Sequence, residues 1–226
     1  MANVISVDSN AQKHYLHSGF SDTITSSYTS PATNATGITW DGTNVISSDD
    51  VADKHYLHSG FSTTIDASYV SPNSGPRGIT WDGTNVISAN LTGPNKHYLH
   101  SGFSDTITSS YTSPDTLPMG ITWDGTNVIS TSLGANKHYK HSGFSTTIDA
   151  SYVSPNSGLR GITWDGTNVI SADTSANKHY KHSGFSDTIT SSYTSPSATP
   201  DGITWDGRYL AVSAIASQRL KIGHGR

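Results

Sequence analysis

Ten of the eleven histidines lie in five copies of the motif Lys-His-Tyr-(Leu/Lys)-His, and they are the residues here best suited to chemistry. An imidazole can ligate a metal, relay a proton or switch charge near neutral pH. The spacing restricts the choice. In the copy carrying His97 and His100 the two rings are three residues apart. On a strand such residues point to opposite faces, so they cannot grip one ion as an i, i+4 pair on a helix does. A metal would need ligands from separate copies, and no carboxylate accompanies the pair at a fixed offset to orient it. The expectation is no metal site, and a half-buried strand whose imidazoles bond to neighbouring hydroxyls. Lys13, Lys54, Lys96, Lys137 and Lys178 open the five motifs, with Lys140 and Lys181 added in two of them. These like charges are expected to disfavour histidine protonation in the fold and to weaken the protein in mild acid.

Catalysis by other groups finds little support in the sequence. Serine, histidine and aspartate are plentiful but recur in every copy, whereas an active site needs one asymmetric set of nucleophile, base and orienting group. Asp-Gly-Thr-Asn has neither the spacing nor the lysine of a phosphate loop. There is no cysteine, which removes disulfides and thiol chemistry. The chain is therefore expected not to be an enzyme, with no catalytic residues and no cofactor. A repeated weak site is what it can supply, and multivalency turns weak contacts into avidity when ligands are arrayed.

Those motifs are positioned by an internal repeat. Gly-Ile-Thr-Trp-Asp-Gly recurs with its tryptophans at Trp40, Trp81, Trp123, Trp164 and Trp205, in steps of 41, 42, 41 and 41 residues. The Lys-His-Tyr motifs keep the same steps. Within one unit every signal is β. Gly161–Trp164 alternates, Asp165–Asn168 is a turn, Asn168–Ser171 is a second strand and Lys178–His182 a third. Thr188–Tyr193 makes a fourth, ended by Ser195-Pro196. No helical spacing with caps occurs. Four strands in a repeat of this length predict one propeller blade.

The order Gly-Ile-x-Trp-Asp-Gly-x-Asn-Val, followed by Ala-Asp and Asn-Lys-x-Tyr, resembles blades of the NHL and YVTN type. That resemblance implies a glycine-led inner strand and an aspartate-glycine turn in each blade. The blade number is similar to that of the five-bladed tachylectin-type lectins, whose repeats differ in sequence. The Gly-His and closing Trp-Asp signature of WD repeats is absent.

Bulk composition agrees with a ring of small sheets. Hydrophobic residues are only 33% of 226, so the aromatics must carry much of the packing. Five Trp, five Phe and ten of the eleven Tyr hold fixed repeat positions. Their expected role is to wedge between blades, with sugar stacking as the other reading. The net charge of -4 and the lack of a basic stripe argue against nucleic acid. No membrane span occurs, and the first 25 residues hold no apolar run long enough for a signal peptide. Cellular location stays open, with a virion or extracellular surface as candidates. Asn34-Ala-Thr36 and Asn90-Leu-Thr92 match the glycosylation acceptor pattern and are expected to be chance matches in a Thr-rich chain.

The ends of the chain predict how the ring closes. Asn3–Ser6 reads as the second strand of a blade, and Gly202–Trp205 as the first strand of one. Pairing Val4-Ile5-Ser6 with Ile203-Thr204-Trp205 would complete an all-β, five-bladed β-propeller of four-stranded antiparallel blades over residues 1–207, leaving no open edge. Residues 208–226 read as a degenerate half-blade, docked on the ring or held by a partner. Six blades with incomplete terminal blades is the alternative.

Copies one, three and five share Ser-Asp-Thr-Ile-Thr-Ser-Ser-Tyr-Thr, and copies two and four share Ser-Thr-Thr-Ile-Asp-Ala-Ser-Tyr-Val, as duplication of a two-blade unit would leave them. Other variation falls in two loops, from strand four to the next blade and from strand two to strand three. An up-and-down blade puts both on one face. Loops on a rigid scaffold are where recognition usually sits. They supply the candidate ligand-binding residues Arg77, Asn95, Arg160, Asn177, Asp49 and Asp50. Two functions are expected: a multivalent recognition module for a glycan or other arrayed surface ligand, or a structural component of an assembly such as a phage virion or tail. In the second, the tail would be the attachment element.

Overall fold

Every repeat folds into four short strands because its runs of Val, Ile, Thr and Tyr are interrupted after five or six residues by Gly, Pro, Asp or Asn. The computed structural model describes residues 2–93 and 95–207. The tail expectation for 208–226 thus lies outside the described residues.

The innermost strands are β4 (Ala35–Trp40), β8 (Pro76–Trp81), β12 (Pro118–Trp123), β16 (Leu159–Trp164) and β20 (Pro200–Trp205). Next come β1 (Val4–Asp8), β5 (Val45–Asp49), β9 (Val86–Asn90), β13 (Val128–Ser132) and β17 (Val169–Asp173). The third strands are β2 (Lys13–His17), β6 (Lys54–His58), β10 (Lys96–His100), β14 (Lys137–His141) and β18 (Lys178–His182). The outermost are β3 (Ile24–Thr29), β7 (Ile65–Val70), β11 (Ile107–Thr112), β15 (Ile148–Val153) and β19 (Ile189–Thr194). They form five four-stranded antiparallel sheets: blade 1 is β20-β1-β2-β3, and blades 2 to 5 follow in chain order from β4. Expected strand bounds differ from the observed ones by only a residue or two.

Ring closure follows the expected register. Val4 stands opposite Trp205, Ile5 opposite Thr204 and Ser6 opposite Ile203. Polar clasps reinforce this joint. The Asp206 carboxylate accepts from the Asn3 amide at 2.8 Å and from its Nδ2 at 3.0 Å. Asp8 accepts from the Thr199 amide at 2.9 Å and its hydroxyl at 3.0 Å.

Blades pack face to face, so the second strands are buried on both sides and read as continuous apolar stretches. Each interface has its own core. Between blades 1 and 2, Ile5 and Val7 meet Ile38 and Val45, with Leu16, Trp40 and Phe61 packed around them. Tryptophan and phenylalanine thus do wedge between blades. The two ends of the propeller differ as the loop reading predicts. At one end each Asp-Gly turn is tied to the Ser-Gly corner of its blade, as by Asn44 Oδ1 accepting from the Gly60 amide at 2.9 Å. At the other, the variable loops meet each other, as where the Gly75 amide donates to Asp53 at 2.8 Å.

Glycine at the axis sets how close the inner strands come. A Cβ on Gly120 would lie 2.6 Å from the Arg160 carbonyl oxygen and 2.8 Å from the Ile162 nitrogen, both backbone atoms of the next blade. Gly78, Gly161 and Gly202 meet their neighbours' backbones in the same way. Backbone cannot rotate aside, so Gly120→Ala must spread the ring. The expected loss is about 1–3 kcal/mol, the usual range for overpacking, read as a lower urea midpoint. An unchanged midpoint would show the inner strands to be loosely held.

Candidate functional site

Three clusters bring chemistry-bearing side chains together: a histidine girdle between the blades and two rings on the axis. The girdle comes from the Lys-His-Tyr-(Leu/Lys)-His strands. Blade neighbours lie on both of their faces, so the two histidines of each strand reach opposite interfaces. His14 meets His58 of blade 2, with ring centroids 5.3 Å apart, and His17 meets His179 of blade 5 at 5.7 Å. Three further pairs, His55–His100, His97–His141 and His138–His182, complete the circle. All ten rings are fully buried, not half-buried as the strand pattern suggests, because the adjacent blade covers what a lone sheet would expose.

Within each pair the roles differ. His58 Nδ1 donates to the Ser62 carbonyl at 2.9 Å, so its Nε2 accepts from the Ser47 hydroxyl at 2.9 Å. His17, His100, His141 and His182 repeat that arrangement. The partner rings lie against tyrosine instead. His14 stands edge-on to Tyr28 at 4.7 Å, and neither of its nitrogens has a hydrogen bond. The hydroxyl bonding expected of all ten therefore holds for the serine-bonded set and, in the other set, for His55, whose Nδ1 lies 3.0 Å from the Ser48 hydroxyl.

Burial pushes these imidazoles far below their usual range. His55, His97 and His179 fall to about 3, through desolvation first and the facing histidine second. His17 falls to about 4, its bond to the Ser21 carbonyl and the Asp22 charge partly opposing desolvation. The expected direction is right and its expected cause is not. Desolvation and histidine–histidine repulsion depress the values, and lysine contributes to none of them.

At the Asp-Gly end of the axis, all five Trp-Asp-Gly triplets converge on one open bowl of about 740 Å3. The sequence places these tryptophans in packing; the geometry gives them a second, solvent-facing edge. Each aspartate shapes its own turn, as where Asp82 Oδ1 accepts from the Thr84 and Asn85 amides at 2.8 and 2.7 Å. Two also hold lysines from the third strand, Asp124 with Lys140 at 2.9 Å and Asp165 with Lys181 at 2.6 Å. Burial alone would raise these two carboxyls, but the ammonium groups and turn amides hold them below the usual range. Signal for this bowl was present in the invariance of Trp-Asp-Gly, yet nothing local says that five turns meet at one point.

At the opposite end the residue before each axial glycine varies from blade to blade, with arginine in two of them: Thr36, Arg77, Met119, Arg160 and Asp201 surround a void of about 20 Å3. Arg77 pairs with Asp50 at 2.7 Å, and Arg160 lies 3.8 Å from Asp201. Burial raises the Asp50 and Asp201 carboxyls, against the pull of these arginines. The structure thus brings Arg77, Asp50 and Arg160 to one end of the axis and adds Asp201 and Met119, which sequence reasoning missed. It places two of the other candidates in turns and the third, Asp49, at the end of β5. Asn95 and Asn177 adopt left-handed backbone with φ of 48° and 52°, like Gln12 and Asp53 at the same repeat position. Asp49 caps its loop, accepting from the Asn34 amide at 2.7 Å and the Ala52 amide at 2.8 Å. The acceptor pattern at Asn90 is closed to modification, since that side chain is 1% exposed and donates to Ser71 and Asn73.

No protein-family model matches the sequence, and no curated protein is similar to it. Solved structures share the fold. The chain is similar to the glutaminyl cyclase of Myxococcus xanthus, with TM-score 0.57 and 10% identity over 75% of this chain and 69% of that one. A chain of the nidogen–laminin complex gives TM-score 0.59 and 13% identity over 91% and 98%. A functionally unknown protein of Desulfotomaculum acetoxidans gives 0.52 and 13% over 88% and 68%. At such identities the likeness is one of fold alone. It corrects one expectation. Repetition was the ground for expecting no enzyme, yet a cyclase is built on a similar propeller, so this fold accommodates catalysis as well as binding.

The girdle has a measurable consequence. The unfolded chain binds protons at its histidines below about pH 6.5, while the folded imidazoles stay neutral well below that. Stability is therefore full above pH 6.5 and falls as the pH drops towards the folded values of about 3 to 4. Each such histidine forfeits about 1.4 kcal/mol per pH unit once the unfolded chain is protonated. His17, His55, His97 and His179 alone forfeit several kcal/mol within about one unit below pH 6.5, a large share of a domain's stability of about 5–15 kcal/mol. The melting temperature is expected to drop steeply between pH 6.5 and 5, with several protons taken up per chain on unfolding. Equal melting temperatures at pH 7.5 and 5 would contradict the burial of these rings.

Proposed function

We propose that the protein is a recognition module that binds a glycan or similar arrayed surface ligand through the tryptophan-lined bowl. One observation carries this reading: the Trp-Asp-Gly triplets of all five blades face a single open concavity of about 740 Å3. Indole edges and faces suit the C–H surfaces of sugars, and carboxylates suit their hydroxyls. Because the bowl is built from repeated residues, its contacts are five similar weak ones, and avidity comes from ligand density. The resemblance of the repeats to NHL and YVTN blades, and of the blade number to tachylectin-type lectins, is in keeping with such a role.

A second reading, an interaction component of a larger assembly such as a virion, has an observation of its own. Val70 and Val153 are 60% and 55% exposed on the outer strands of blades 2 and 4, where blades 1, 3 and 5 carry threonine. Lateral contacts through alternate blades would cover them.

Binding to dense arrays of neutral glycans, scored with tryptophan fluorescence titration of the free sugar, tests the first reading. Weak saturable binding at several equivalent sites is expected, and Trp81→Phe with Trp123→Phe should lower array binding about tenfold through lost avidity. One tight site per chain, or binding indifferent to these changes, would move the site away from the bowl. A stable oligomer lost on Val70→Thr with Val153→Thr would support the assembly reading.

A further inference from the structure

In blades 4 and 5 a lysine of the third strand meets the aspartate of the first turn, and blades 2 and 3 keep the aspartate but carry leucine in place of the lysine. In blade 5 the Lys181 ammonium lies 2.6 Å from Asp165 Oδ2 and 5.8 Å from the ring centroid of Trp205, the tryptophan of the next blade. A cation is thus held between a carboxylate and an indole face, the arrangement that recognises ammonium groups most strongly. Blade 4 repeats the ion pair through Lys140 and Asp124 at 2.9 Å.

The register is the same elsewhere, but the residue is not. Lys181 pairs across the sheet with Ile170, as Leu57 pairs with Ile46 and Leu99 with Ile87. Leu57 packs by Trp81 and Phe103, and Leu99 by Trp123 and Phe144. Leucine is shorter by the length of an aminomethyl group and carries no charge. Asp82 keeps the setting of Asp165 in detail: Oδ1 accepts two turn amides, and Oδ2 lies 3.4 Å from the Nδ2 of Asn85, as that of Asp165 does from Asn168. Asp41 likewise accepts the Thr43 and Asn44 amides at 2.8 and 2.7 Å. Among the described residues neither Asp41 nor Asp82 forms an ion pair. In blade 1, which also carries leucine at this position, Leu16, Trp40, Phe61 and Asp206 help to line a cavity of about 50 Å3. That is room for an ammonium group on a slim alkyl stem.

We propose that the niches Leu57/Asp41/Trp81 and Leu99/Asp82/Trp123 bind primary alkylammonium groups of a small-molecule ligand, each taking the place that Lys181 fills in blade 5. This goes beyond the glycan reading and does not depend on it, since a neutral sugar need not enter the niches. Asp41, Trp81, Asp82 and Trp123 also line the bowl, so each niche adjoins it.

The probe is 1,5-diaminopentane, titrated into the full chain by calorimetry and tryptophan fluorescence, with 1,5-pentanediol as the uncharged counterpart. Saturable binding of the diamine is expected, weakened by salt and absent with the diol. Leu57→Lys with Leu99→Lys should remove two sites, and both changes are compatible with folding because lysine already stands at this position in blades 4 and 5. Lys140→Leu with Lys181→Leu should add two. The diamine and a neutral glycan are separate probes, so loss of diamine binding leaves neutral-glycan binding standing and the reverse also holds. Diamine binding that is absent, matched by the diol, or unchanged in site number in both double variants would overturn the proposal.

Discussion

The contact on which the rest of the molecule depends is backbone against backbone at the axis. Five inner strands can meet only if the residue at the crossing has no side chain, and Gly78, Gly120, Gly161 and Gly202 each leave less than a methyl group of space. That approach draws the second strands in behind them, so Val4, Val45, Val86, Val128 and Val169 lose all exposure. It also brings the five Asp-Gly turns within reach of one another. A bulkier inner residue would widen the ring, separate the cores between blades and flatten the bowl together.

Interblade burial then explains the chemistry of the histidines. A solitary blade would leave both faces of each Lys-His-Tyr-(Leu/Lys)-His strand wet. The neighbouring blades, one on each side, convert both faces into interior. One histidine of each pair finds a serine hydroxyl and a carbonyl; the other finds mostly aromatic carbon. Neutral imidazole tolerates this and imidazolium does not, so the ring that most resembles a reactive cluster is instead a constraint on the pH at which the blades stay together.

What the sequence makes legible is what repeats locally. The tryptophan steps, the turn signals and the half-blades at the two ends are enough to predict five sheets and the pairing of Val4 with Trp205. Loop variation correctly separates the two ends of the propeller. What stays hidden is what one copy does to the next. Complete burial of His14 depends on blade 2, some forty residues away in sequence. Asn95 and Asn177 stand in variable loops, yet their left-handed backbone assigns them to turns, a role hinted at only by Gln12 and Asp53 at the same repeat position. Arg77 and Arg160 do approach the axis, but nothing near them in sequence shows that Asp201 and Met119 stand beside them.

Lys140 and Lys181 show most clearly why a motif must be read against its neighbours. As sequence they are extra positive charge on a strand already bearing lysine. In the ring, each meets the aspartate of its own blade's first turn, so the change from leucine to lysine alters the bowl and leaves the strand core in place. Asp124 and Asp165 each face an ammonium group, while among the described residues Asp41 and Asp82 are in no ion pair. A bowl lined by five identical triplets is therefore not five-fold in its electrostatics. Its asymmetry comes from two residues on the third strands, and ligand orientation in a repeat protein can be set by substitutions that never touch the repeated motif itself.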